Sequence, residues 1–230
     1  MGLKGYKLIN SSDPWYYHPL FALYCIFGWL LISVSGSMLH FTYQWTHCNW
    51  VMGLFVAVNE SVFEHMKILS LPVFLFWLIS FVVNASYIEK KTYECMMEHV
   101  VSANAAIYSG VFVMAFFHLV VSVGFGFEPL EFDITLFVVS AFVAQCAGFY
   151  CMVKEVEDKV IRRFSSICLI LACFVHMYCT DDPPKFMPVL FQDTKGGFYG
   201  RPSNCTLLDG FTPVTVADNA SNSTHNATTI

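Results

Sequence analysis

Charge is what this sequence has least of. Only 13% of its 230 residues are Asp, Glu, Lys or Arg, about half the share of a soluble domain. It has no basic patch and no Gly-rich phosphate loop, which argues against nucleic acid and nucleotide phosphates as partners. No internal repeat is visible, which argues against a transporter assembled from inverted halves. No small-residue cleavage site follows the first apolar run, so that run reads as a signal anchor. Tyr6 stands where a myristoylation pattern needs Ser or Thr, and the absence of an apolar carboxyl-terminal run argues against a GPI anchor.

Apolar residues fill the space that charge leaves. Hydrophobic types make up 56% of the chain and mean hydropathy is +0.56, a balance that places the protein in a bilayer, its first partner. Phe, Tyr and Trp suit the belts at the two membrane interfaces. Five stretches are long enough to cross, at about 20 residues per helix: about 18–41, 62–83, 100–125, 134–153 and 164–180. The expected fold is therefore all-α, a polytopic bundle of about five transmembrane helices. The fifth stretch is short and can extend backwards through residues 154–166. Residues 50–58 are too short to span; they are a re-entrant piece or the first turns of the second helix. Four regions follow: an amino-terminal segment over 1–17, the bundle over 18–180, an ordered loop over 181–211 and a polar, disordered tail over 212–230. Phe191, Phe198 and Tyr199 need burial, so the loop is expected to fold back as a lid on the bundle.

Basic residues orient the bundle. Lys4, Lys7, Lys90, Lys91, Lys154, Lys159, Arg162 and Arg163 fall on one side, against Lys67, Lys185, Lys195 and Arg201 on the other. The positive-inside rule then puts the amino terminus in the cytoplasm and the carboxyl terminus outside, in a plasma or secretory-pathway membrane. Glycosylation triplets at Asn204, Asn219, Asn222 and Asn226 in the tail agree with this sense. Matching triplets at Asn10, Asn59 and Asn84 fall in the cytoplasm or at the membrane and should stay bare. Cys48, Cys179 and Cys205 lie on the oxidising side, where one disulfide can form; the other six cysteines read as small buried hydrophobes.

The polar centre is Asn59-Glu60-Ser61-Val62-Phe63-Glu64-His65-Met66-Lys67, flanked on both sides by near-continuous apolar sequence. Ionisable groups beside hydrocarbon cost a few kcal/mol each, so they pair, line a wet cavity or bind something. On the expected topology His40, His118, Asp133, His176, Asp181, Asp182 and Asp193 reach the same leaflet. Imidazole and carboxylate from separate helices can form a divalent-metal site, zinc first among candidates. His40, His65, Glu64 and Asp133 are the candidate ligands, with Glu60, Ser61 and Glu64 as candidate catalytic groups and Asn59, Lys67 and Asp193 as supports. The plainer account has Asn59 capping a helix, the carboxylates satisfying backbone N–H groups near its start, and Lys67 neutralising Glu64.

Residues 36–43, with His40, residues 58–67 and Pro72 resemble a family of small uncharacterised multi-pass membrane proteins, best represented in bacteria. Its mark is a VNESVWEHLK-type motif following a GSLLHFxYxW-type helix end. Residues 133–137 are similar to its acidic helix start, and Thr180, Pro183, Pro184, Phe191, Asp193, Tyr199 and Gly200 to its FTxxPPxxPLFxDPxxGxYG ending. The resemblance spans about residues 25–200 and implies a membrane bundle of unknown activity. It places His40, Asn59, Glu60, Glu64, His65, Lys67, Asp133 and Asp193 on family-type positions. His118, His176, Asp181 and Asp182 fall where the family has aromatic or aliphatic residues. Ser61 and His65 also make an S-x-x-x-H pattern loosely similar to intramembrane metallohydrolases of the ceramidase and adiponectin-receptor kind, whose late H-x-x-x-H pair is missing here. Three functions remain open: a metal-dependent hydrolase acting on lipid or another membrane-embedded substrate, an ion- or proton-coupled transporter or channel, and a non-catalytic assembly protein. Their ligands are respectively a lipid or small molecule, an ion, and another protein.

Overall fold

The computed structural model describes residues 20–87, 92–127, 129–154, 156, 158–193 and 199–201. Among the described residues seven α-helices run in chain order: α1 (Gly28–Trp45), α2 (Trp50–Gly53), α3 (Val62–Tyr87), α4 (Thr92–Phe117), α5 (Leu130–Lys154), α6 (Lys159–Asp181) and α7 (Pro188–Phe191). Wider π-helical turns precede α1 at Ala22–Phe27 and continue α4 at His118–Gly124. Five helices are long and apolar enough to span, over Ala22–Trp45, Val62–Ser86, Tyr93–Gly124, Leu130–Lys154 and Lys159–Asp181. The last does extend backwards, because Asp158 caps it by accepting from the Val160 and Ile161 N–H groups. Residues 50–58 are not the first turns of the second span, which begins at Val62. They form the single turn α2 and an irregular return that ends where α3 begins.

The bundle closes around aromatic residues and small ones. Tyr24, Phe76, Trp77 and Phe149 pack ring against ring in its centre. Gln145 is fully buried among them and satisfied, accepting from Trp77 Nε1 and donating to the Tyr24 carbonyl, both at 3.1 Å. Small residues let α4 and α5 touch: a Cβ on Gly110 would lie 3.0 Å from that of Ala144, and one on Gly148 2.9 Å from the Ser102 carbonyl. Pro72 inside α3 has no N–H and leaves the Ile68 carbonyl without its helical donor. Gly36 of α1 approaches that carbonyl, since a Cβ there would lie 3.0 Å from it and 2.4 Å from Cζ of Phe137 on α5. Three helices thus meet at Gly36, one turn below His40.

Between α1 and α3 the chain turns on His47 and Cys48, both left-handed at φ 52° and 55°. Asn49 then caps α2. Cys48 is disulfide-bonded and Cys179 is a free, buried thiol, which removes the two pairings that involve Cys179. Cys205 lies outside the described residues, as do the tail triplets and Asn10. After α6 the chain folds back: Arg201 donates to the Trp50 carbonyl at 2.9 Å and to Asp181 at 2.7 Å. Gln192 and Tyr199 form an antiparallel bridge, and Phe191 packs on Phe63 with ring centroids 4.9 Å apart.

Candidate metal site

Helix α3 begins at Val62, so Asn59, Glu60 and Ser61 are not on its surface but in the return that leads into it. This decides which side chains face which way. Ser61 opens the helix: its hydroxyl accepts from the Glu64 N–H at 3.4 Å, and its own N–H donates to Asn59 Oδ1 at 2.9 Å. The candidate catalytic hydroxyl is thus held, buried, in a capping contact. Asn59 is buried and does not cap α3 by itself; its amide donates to the Gly200 carbonyl at 2.8 Å.

Glu64 and Lys67, three apart, turn inward together. Their side chains are 2% and 3% exposed and meet at 2.6 Å. Lys67 also donates to the Gly53 carbonyl and to Thr180 Oγ1, each at 2.9 Å, while Glu64 accepts from the Val58 N–H at 3.0 Å. The pair therefore ties α3 to α2, the return and the end of α6. Glu64, a candidate ligand and catalytic group, faces Lys67 and is not among the side chains that gather with His40 and His65.

Those side chains are His40, Glu60 and His65. One donor atom from each lies within 4.8 Å of the other two. His40 Nε2 stands 3.2 Å from Glu60 Oε1, and the two imidazole rings are 5.2 Å apart. His65 Nδ1 donates to the Ser61 carbonyl at 2.9 Å, which fixes its tautomer and leaves the Nε2 lone pair for a ligand. Asp193, on the returning segment, accepts the Glu60 N–H at 2.8 Å and so holds the loop that carries the carboxylate. All three donors are half-buried. A shallow, solvent-open depression lined by His40, Tyr43, Gln44 and residues 57–60 adjoins His40 and Glu60.

Asp133 does not join this trio; it sits one turn from Phe137 on α5. His118 Nδ1 is 3.8 Å from Asp133 Oδ1. His176 is elsewhere, stacked on Phe63 with Nδ1 donating to the Ala172 carbonyl at 2.7 Å. His99 belongs to the opposite end of the bundle, in a satisfied network with Ser80, Asn84 and the Cys95 carbonyl. The described residues 181–193 and 199–201 brace the return and α2, and none of them lines the depression.

Two imidazoles and one carboxylate on separate structural elements, with room beside them, are a donor set that catalytic zinc uses. Donor atoms on a tetrahedral zinc lie about 3.4 Å apart, so side-chain shifts of about 1 Å would close this one. Residues 6–201 match the model of one protein family, described as a family of unknown function. No curated protein and no solved structure matches the chain.

Proposed function

We propose, for a chain that belongs to the family of unknown function DUF6512, that it is a multi-pass membrane protein holding a divalent metal, zinc by preference, and hydrolysing a lipid or other membrane-embedded substrate. His40, Glu60 and His65 are the ligands. The convergence of their donor atoms within 4.8 Å carries the reading. A metal there lowers the pKa of a water at its open position and supplies a nucleophile beside the bilayer. Glu60 serves as a ligand, and Asp193 and Ser61 orient Glu60 and His65. The excess of Lys and Arg at the other end of the bundle supports an exoplasmic site.

Elemental analysis of the purified full chain tests the metal: about one zinc per chain is expected, lost in His65→Ala and in His40→Ala, and absence of metal from the intact protein would overturn the reading. Release of free acid or headgroup from mixed lipid vesicles, abolished by chelator and restored by zinc, tests the hydrolysis. Metal flux into liposomes without any lipid product would favour the transporter instead. Glycosidase-sensitive mobility of the tail in intact cells or sealed vesicles tests the orientation.

A further inference from the structure

The exposed side of the first span does not stop where the helix ends. Along α1, Leu30, Val34, Met38, Phe41 and Trp45 recur three or four residues apart, and each is about half exposed or more. They form one stripe, on the side of the helix that faces hydrocarbon. The chain then folds over tightly. The Cys48 N–H donates to the Tyr43 carbonyl at 2.9 Å and the Asn49 N–H to the Thr46 carbonyl at 3.2 Å, which starts α2 beside the last turn of α1. Trp50 and Val51 of α2 are 59% and 53% exposed, although they lie beyond the last residue of the span. Trp50 is held in place there. Its carbonyl accepts from Arg201 at 2.9 Å, and the same guanidinium stands 5.4 Å from the centre of its ring. A fixed, open indole at this place is an anchor for the wet boundary of a bilayer, where its ring meets hydrocarbon and its N–H meets headgroups.

The stripe also touches the candidate metal site. Phe41 packs edge-on against His40, with ring centroids 5.1 Å apart, and Trp45 stacks on Phe41 at 6.0 Å. Five residues of helix rise about 7.5 Å, and the headgroup layer on each side of a bilayer is about 5–8 Å thick. With Trp45 among headgroups, His40 therefore stands where headgroup and acyl chain join. Resting on the metal-site reading above, we propose that Phe41, Trp45, Trp50 and Val51 form the seat of a lipid from the leaflet at this end of the bundle. Substrate reaches His40 and Glu60 sideways along this seat, without leaving the membrane. The occupant is a lipid and not a second protein, because the seat continues the hydrocarbon-facing stripe of the same helix and shares its exposure.

The test uses the full-length chain reconstituted in phosphatidylcholine vesicles, with and without bromine on the acyl carbons nearest the headgroup. The tryptophan emission that Trp50→Phe removes should fall about 2-fold with brominated lipid and be nearly untouched by iodide present on both sides of the vesicle. Trp45→Phe should give the same result. Trp50 emission that iodide quenches and brominated lipid does not would overturn the proposal. So would emission sheltered from both, which would mean that a protein covers this face. Metal content and turnover are read separately: Trp45→Ser/Trp50→Ser should keep about one zinc per chain. It should release product from vesicles about 10-fold more slowly than wild type, while a short-chain ester dissolved in detergent is cleaved equally by both. Unchanged release from vesicles would also overturn the proposal. A chain that binds no metal would end the metal-site reading, and the quenching would still decide for or against the lipid seat.

Discussion

At the scale of single residues, the main outcome is that two carboxylates four positions apart have opposite fates. Glu60 precedes the helix and turns to His40; Glu64 lies inside it and turns to Lys67. Removing one member of a buried ion pair strands the other charge, at a cost of about 3–5 kcal/mol, whereas replacing both members is often near neutral. Lys67→Met should therefore lower the thermal midpoint sharply in detergent, and Glu64→Gln/Lys67→Met should recover most of it. Metal stoichiometry separates the roles: Glu60→Gln should lose metal, and the double variant at 64 and 67 should keep it. Asp193→Ala should weaken metal binding severalfold by freeing the Glu60 N–H, with little change in the secondary structure seen by circular dichroism.

At the scale of elements, the site depends on how closely α1, α3 and α5 approach. Gly36 faces both the Phe137 ring and the carbonyl that Pro72 leaves unpaired, and neither contact has room for a methyl group. Gly36→Ala should cost about 1–3 kcal/mol through overpacking and should also lower metal affinity, because separating these helices draws His40 away from His65. Phe137→Leu in the same chain should restore part of both, as read by thermal unfolding and metal titration. A loss of stability with unchanged metal affinity would show that the contact serves packing alone. The five spans were legible in sequence because each is an unbroken apolar run. The break after residue 53 was not, because α2 and the return are as apolar as the helices beside them.

At the scale of the whole molecule, the braces at this end of the bundle converge on one short stretch. Asn59 bonds to Gly200, Glu60 to Asp193, Lys67 to Thr180 and Gly53, and Arg201 to Trp50. The Cys48 disulfide fixes the corner that leads into it. Cys48→Ser should therefore lower stability by about 2–4 kcal/mol and abolish the mobility shift between reduced and non-reduced gels, whereas Cys179→Ser should leave that shift intact. Reduction should also loosen metal binding if the corner sets the angle between His40 and the Glu60 loop, and titration under reductant reads this directly.

Composition and the spacing of apolar runs determined that the chain is helical, with five helices long and apolar enough to cross a membrane, because only long helices satisfy the backbone in hydrocarbon. They also placed His40, Glu60 and His65 at one end of the bundle, since helices of fixed rise carry fixed positions to fixed depths. The tertiary structure alone decided which of those groups meet. Rotation about each helix axis, the start of α3 at Val62 and the left-handed corner at His47 and Cys48 are set by packing between distant segments. These are what turn Glu60, and not Glu64, towards His40 and His65.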